Sequence, residues 1–199
     1  MKGYYFITAA ELSLAGNQSD VRSAVKAGVT AIQYRRKSGS TSAMIKEALT
    51  LRKLCGSTLF LINDRVDIAL AAEADGVHLG QDDLPYSLAR KLLGRRVIGL
   101  TVHNVREARE AQAAGADYLG VSPVFSTRTK RDAGNPAGIE LIRKIKKEVT
   151  IPIVAIGGID LENAPAVIAA GADGLCAISA VVSKKNVRAE IDKFQKLFG

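Results

Sequence analysis

Apolar residues recur along this chain in two alternating rhythms. Short, near-continuous runs, "YYFITA" (4–9), "TLFLIND" (58–64), "RVIGLTVH" (96–103) and "IPIVAIGGI" (151–159), are separated by alanine-rich stretches with polar residues at helical spacing. Unbroken apolar runs of this length are what parallel strands buried on both faces require. Four further stretches resemble one another: "AVKAGVTAIQYR" (24–35), "ALAAEADGVHLG" (69–80), "AQAAGADYLGVS" (111–122) and "VIAAGADGLCAIS" (167–179). In each, a helical segment ends near Gly or an acidic residue and passes within about two residues into a short β-branched run, which marks a helix-to-strand junction. The copies are one βαβα unit apart, so the chain reads as eight strands, each followed by a helix.

Eight β/α units closing on themselves predict an α/β fold, a (β/α)8 TIM barrel at the short end of its usual length. A flavodoxin-like open sheet is the competing arrangement, but it needs only five or six strands, and eight would make it unusually wide. With 199 residues, 47% of them hydrophobic, and neither a charge block nor a Pro/Ser-rich linker, residues 1–199 read as one catalytic domain around one core. Chemistry in this fold belongs on the loops after the C-terminal ends of the strands.

Charge narrows the partners. A net charge of +8 and a pI near 9.6 point to an anionic ligand. Scattered cations, only 5% aromatic residues, and no helix-turn-helix, zinc-finger or RNP-like pattern argue against nucleic acid, leaving small phosphorylated molecules. No apolar stretch reaches the roughly 18 to 20 residues of a membrane span. Lys2 followed by "GYYFITAA" resembles the start of a signal peptide, but Glu11 interrupts it. Cys55 and Cys176 lie far apart without metal-type spacing and are expected to be reduced core residues of a cytoplasmic protein. Homo-oligomerisation is left open.

One segment follows neither rhythm. "SPVFSTRTKRDAGNP" (122–136) has no helical or strand period, and loops this long either cover a site or are disordered.

The strand ends carry the candidate chemistry. In "QYRRK", Gln33, Arg35 and Lys37 alternate onto one face while Tyr34 and Arg36 take the other, placing either a cationic set over the barrel mouth or a solvated strand end. Strand three ends at Asn63 and Asp64; strand four ends in His78, Gln81, Asp82 and Asp83. Carboxylates facing cations suit Mg2+, which binds through one or two carboxylates, waters and phosphate oxygens. Alternatively Asp64 pairs with Arg65 or caps a helix. One of Asp82 and Asp83 is expected to be the N-cap before "LPYSLARKLL". Strand five ends in Thr101 and His103, and both histidines read as structural hydrogen-bonders. Gly157 and Gly158 either admit a ligand closely or serve turn geometry. Ile178 and Ser179 offer backbone N–H groups just before the last helix, completing the phosphate site this fold builds after strands seven and eight.

Together "QYRRK", "ND", "GVHLGQDD", "GLTVHN", "STRTK" and "IPIVAIGGI" resemble, in order and spacing and over nearly the whole chain, the thiamine-phosphate synthase family. The resemblance implies a TIM-barrel transferase of thiamine biosynthesis. With Mg2+, such an enzyme joins 4-amino-5-hydroxymethyl-2-methylpyrimidine diphosphate to a (carboxy)thiazole phosphate, giving thiamine phosphate and pyrophosphate. It further implies that Gln33, Arg35, Lys37, Asn63, Thr101 and Lys130 contact the pyrimidine diphosphate, with Arg35, Lys37 and Lys130 catalytic through the departing charge. Asp64 and Asp83 would bind the metal, and Thr127, Arg128, Thr129, Gly158, Ile178 and Ser179 would hold the thiazole phosphate. The 122–136 loop would be a flap over both substrates, its moving part bounded by Gly134 and Pro136. Two positions depart from the family: Thr101 stands where Ser is usual and Ser126 where Pro is frequent. The related thiazole tautomerase, with His103 as acid/base, is the closest rival, but needs neither Lys130 nor two aspartates. A basic nucleic-acid binder without catalysis is the rival from another class.

Overall fold

The computed structural model describes residues 1–127, 129 and 135–199. Strands β1 (Gly3–Ile7), β2 (Ala31–Tyr34), β3 (Leu59–Asn63), β4 (Gly76–Leu79), β5 (Val97–Val102), β6 (Tyr118–Val121), β7 (Ile153–Ile156) and β8 (Gly174–Cys176) pair in chain order. All pairings are parallel, and β8 returns to β1 through Gly3 and Tyr4 opposite Gly174 and Leu175. The expected closed barrel is therefore the fold, and no open sheet edge remains. Helices α1 (Asn17–Lys26), α2 (Thr41–Cys55), α3 (Val66–Ala71), α4 (Tyr86–Leu93), α5 (Val105–Ala114), α6 (Gly138–Lys146) and α7 (Ala164–Ala169) follow the first seven strands. After β8 the chain departs from the one-strand, one-helix rhythm, forming a short α8 (Ile178–Val182), then α9 (Val187–Gln195) and a final 3-10 turn, Lys196–Phe198. The junctions of the four repeats take three or four residues (27–30, 72–75, 115–117 and 170–173) rather than two.

Alternation along the strands divides the core. Tyr4, Phe6, Ile32, Phe60, Ile62, Val77 and Ile98 point outward beneath the helices, while Tyr5, Ile7, Ala31, Leu61, Tyr118, Val154 and Cys176 point inward and fill the barrel. Both cysteines are free and buried, and burial pushes the Cys55 thiol up to about 12.

The repeated sequence has a physical cause at the N-terminal end of the barrel. Asp75, Asp117 and Asp173 are the last residues before β4, β6 and β8, and each donates its backbone N–H to the carbonyl of Phe60, Ile98 or Ile153 at the start of the preceding strand, at 2.9 Å. Each carboxylate then accepts the N–H of that same residue, at 2.7, 2.8 and 2.9 Å respectively. A cation from the helix that precedes the earlier strand of each pair, Arg52 of α2, Arg90 of α4 or Lys146 of α6, closes on the same carboxylate at 2.8 to 3.1 Å. Backbone N–H groups at strand starts would otherwise lack a partner. The first copy carries Thr30 in place of Asp. Thr30 still donates to the Tyr4 carbonyl, but the Tyr4 N–H is met at 2.9 Å by Oε1 of Gln195 from α9, whose Nε2 also donates to the Gly28 carbonyl at 2.7 Å.

Candidate active site at the C-terminal end of the barrel

Strand ends and loops surround a cleft of about 280 Å3 at the C-terminal mouth. Its walls include Gln33, Arg35, Lys37, Asn63, Asp64, Asp83, Thr101, Thr127, Thr129, Gly158, Ile178 and Ser179. Every candidate site residue is thus gathered into one cavity except Arg128 and Lys130, which, like Gly134, lie outside the described residues. The alternation in "QYRRK" continues past the strand: Gln33, Arg35 and Lys37 face the cleft, whereas Tyr34 and Arg36 turn outward to Glu47 of α2, at 2.7 and 2.9 Å.

The two aspartates are held apart from the roles that local sequence offered them. Arg65 pairs with Asp67 at 2.6 Å, and α3 begins without a side-chain cap, so Asp64 is free of both. It sits instead at the centre of a γ-turn, with φ of 61° and Arg65 N–H donating to the Asn63 carbonyl at 2.7 Å. A non-glycine residue held in that region costs on the order of 1–3 kcal/mol, a strain expected where geometry serves a site. The expected cap at Asp82 or Asp83 is absent too: Pro85 precedes α4 and makes no side-chain cap bond. Asp83 turns back to accept the Gly80 N–H at 2.6 Å, a local bond three residues back that takes its carboxylate away from the helix end.

Lys37 Nζ lies 2.6 Å from Asp64 Oδ2, and the Asp64 and Asp83 carboxyls share a hydrogen bond. Burial opposes ionisation of Asp64, but the bonds from Lys37 and Asp83 outweigh it and hold the carboxyl below its ordinary range. Burial, followed by the bond to Asp64, holds Asp83 above it. Two carboxyls this close must share a proton or a cation. Among the described residues no group of three or more His, Cys, Asp or Glu could hold a metal ion by itself; a hard ion such as Mg2+ takes one or two carboxylates and would need water and phosphate oxygens to complete its shell beside this pair.

Opposite the carboxylates, β7 is followed by Gly157 and Gly158, with φ of 103° and 63°. A Cβ at Gly157 would meet Pro123 Cα at 2.8 Å, and one at Gly158 would meet the Ser126 carbonyl at 2.5 Å. The close approach these glycines permit is first of all that of the chain's own loop. Val124 and Phe125 donate to the carbonyls of Ile156 and Gly157, and Ala137 and Gly138 donate back to Pro123 and Val124, so the described ends of the 122–136 segment are tied to the barrel. Ile178 and Ser179 precede the last helix, α9, as the sequence suggested, and are themselves the first residues of the additional helix α8, which places their N–H groups at its start.

Both histidines have hydrogen-bond partners. His103 Nδ1 is 3.1 Å from Glu107, which also accepts the His103 backbone N–H while Asn104 caps α5. His78 lies inside the barrel mouth, bonded to Tyr118 and Thr101. Tyr5 and Tyr118 are the polar residues that sequence reasoning passed over, since an aromatic residue in an apolar strand looks like core.

Comparison with known proteins converges on one family. Residues 4–181 match the family model described as thiamine monophosphate synthase. The thiamine-phosphate synthase of Methanosarcina mazei is 51% identical over 193 residues, covering 96% of this chain and 80% of that protein. Its counterpart from Chloroflexus aurantiacus is 48% identical over 196 residues, covering 97% and 91%. The solved thiamine phosphate pyrophosphorylase of Pyrococcus furiosus superposes with a TM-score of 0.91 at 42% identity, over 98% of this chain and 94% of that one. The barrel, the residues gathered at its mouth and these relatives agree, and the chain belongs to the thiamine monophosphate synthase family, transferases of thiamine biosynthesis.

Proposed function

We propose that the chain joins 4-amino-5-hydroxymethyl-2-methylpyrimidine diphosphate to a thiazole phosphate, forming thiamine phosphate and releasing pyrophosphate, with Mg2+ held by Asp64 and Asp83. The observation that carries this reading is the convergence of Arg35, Lys37 and the Asp64–Asp83 pair on one side of the cleft, facing Thr127, Thr129, Gly158 and the start of α8 on the other. One side suits a diphosphate and the other a monophosphate. When bound, Mg2+ would neutralise diphosphate oxygens and stabilise the charge that grows on the leaving group.

Arg35, Lys37 and Lys130 face that same charge. As the bond from the pyrimidine methylene to oxygen breaks, negative charge accumulates on the pyrophosphate, and cations fixed beforehand stabilise the transition state more than the ground state. Gln33, Asn63 and Thr101 orient the ring, while Thr127, Arg128 and Thr129, with the N–H groups of Gly158, Ile178 and Ser179, hold the thiazole phosphate so that its ring nitrogen meets the electron-poor carbon. No protein nucleophile is needed. The carboxylate pair separates this reading from a thiazole tautomerase, whose proton transfer would use His103 and has no need of a metal. The partners are small phosphorylated molecules, with neither nucleic acid nor membrane; among the described residues no helix is long and apolar enough to cross a bilayer. The test is direct: purified protein, both substrates and Mg2+, with pyrophosphate and thiamine phosphate measured together. Turnover of neither substrate overturns the reading.

Asp64→Asn and Asp83→Asn remove one charge each without changing shape. Each should weaken Mg2+ binding and turnover by about 10- to 100-fold, the scale seen when even the outer partners of metal ligands are removed. Full turnover in excess EDTA, or parental kinetics in both variants, would exclude the assignment.

Thr127→Val and Thr129→Val address the other substrate. Each deletes one hydrogen bond to a charged group, worth about 1.5–3 kcal/mol, so KM for the thiazole phosphate should rise about 10-fold or more while KM for the pyrimidine diphosphate changes little. Equal effects on both substrates would mean that the two threonines act only through closure of the loop.

A further inference from the structure

Beneath the cleft an unbroken line of side-chain hydrogen bonds crosses the barrel. Gln33 Nε2 donates to Tyr5 Oη at 2.9 Å, Tyr5 Oη is 2.8 Å from Tyr118 Oη, Tyr118 Oη is 2.8 Å from His78 Nδ1, and His78 Nε2 is 2.9 Å from Thr101 Oγ1. All five residues are buried, from 1% exposed at Tyr5 to 8% at Thr101. The interior is shaped to hold them. A Cβ at Gly120 would meet His78 Cε1 at 2.7 Å, and one at Gly99 would overlap the Tyr118 ring, so two strands omit their side chains where these rings lie across them. Gln33 and Thr101, the ends of the line, border the cleft, as does His78; Tyr5 and Tyr118 do not.

The line has a direction. Because Gln33 donates to Tyr5, the Tyr5 hydroxyl must give its own hydrogen to Tyr118, or a buried donor is left unsatisfied among the described residues. Tyr118 in turn donates to His78 Nδ1. The imidazole proton then sits on Nε2, which donates to Thr101 Oγ1, and the Thr101 hydrogen is directed away from the line into the cleft. The same polarity commits one N–H of the Gln33 amide to Tyr5 and leaves its carbonyl oxygen to face the ligand. Gln33 thus offers an acceptor, and Thr101 a donor, to a ligand in the cleft from the two ends of the line.

We propose that Tyr118 and Tyr5 are positioning residues that fix His78 in its Nε2–H tautomer through this line and thereby set which way Gln33 and Thr101 present their donor and acceptor to the pyrimidine. This rests on the synthase reading of the cleft. Neither tyrosine lines the cleft. Their effect is transmitted through hydrogen direction, so removing one hydroxyl from the middle of the line scrambles the polarity at its end.

Tyr118→Phe is the informative variant, since it keeps the ring that fills the Gly99 slot and removes only the oxygen. The chain has two histidines, so nitrogen-15 spectra of the imidazoles, with His103→Gln used to assign the other ring, report the His78 tautomer directly. The parent should show a single Nε2–H form, and Tyr118→Phe a mixture. kcat/KM for the pyrimidine diphosphate should fall about tenfold, the effect of one misdirected neutral hydrogen bond. Tyr5→Phe should act in the same direction. Because Tyr118 works through Thr101, Tyr118→Phe added to Thr101→Val should reduce kcat/KM little further than Thr101→Val alone. An Nδ1–H or doubly protonated His78 in the parent, an unchanged kcat/KM in Tyr118→Phe, or fully multiplicative losses in the double variant would each overturn the proposal. A parent that makes no thiamine phosphate would refute the synthase reading instead, and the spectra would still decide whether the line has the stated direction.

Discussion

Lys130→Ala is expected to lower kcat by a factor of about 10² to 10³, the loss that follows removal of one preorganised electrostatic contact to a developing charge. Lys130 follows Thr127 and Thr129, which already line the cleft. Its ammonium is proposed to meet the diphosphate as the methylene–oxygen bond breaks. If so, the contact belongs mainly to the transition state, and affinity for the bound pyrimidine diphosphate should change far less than the rate. Arginine at this position should restore only part of the loss, because a planar fork does not occupy a point-charge site in the same geometry. Single-turnover rates at saturating substrate, set beside calorimetric binding of the diphosphate with Mg2+ present, separate the two contributions. A variant that binds the diphosphate weakly but reacts at the parental rate would make Lys130 a ground-state anchor and remove the loop from catalysis.

Gly99→Ala should be among the most destabilising single-methyl additions in the molecule. The new Cβ would overlap Cζ of Tyr118 and lie 2.5 Å from its Oη. That ring cannot retreat easily: it is 1% exposed, tilted against Tyr5 with centroids 5.9 Å apart, and bonded through its hydroxyl to Tyr5 and His78. Overpacking alone typically costs about 1–3 kcal/mol, and each buried polar group left without its partner adds about 1–3 kcal/mol more. A loss of about 3–5 kcal/mol lowers Tm by roughly 6–20 °C in a domain of this size. Thermal unfolding followed by circular dichroism measures it, and a Tm within 2 °C of the parent would mean that the barrel interior is looser than its packing indicates.

The barrel was legible because its signal is repeated: near-continuous apolar runs and four similar junctions fix the period whatever happens at any one turn. The cleft was legible where side chains lie on strand ends, since alternation alone sends Gln33, Arg35 and Lys37 one way and Arg36 the other. What escaped reading depends on contacts between distant strands. Asp75, Asp117 and Asp173 stand plainly in the repeats, but their task requires knowing which strand start lies beside each one. Tyr5 and Tyr118 are 113 positions apart and meet only when the barrel closes. Asp83 is a different case: it has the sequence setting of a helix cap but gives its carboxylate to a local bond, the Gly80 N–H three residues back. The five residues of α8 are too few to display a helical period.

The substitution of Gln195 for an aspartate in the first repeat has a temporal consequence. Three quarters of the barrel carry the clasp for each odd strand in the segment that follows directly, so β3, β5 and β7 can be locked as soon as the next strand has formed. Strand β1 alone waits. Its clasp is on α9 and its second neighbour is β8, so the first of these eight strands to leave the ribosome is the last to be secured, and a nascent chain holds that edge open until nearly all of these residues have been made.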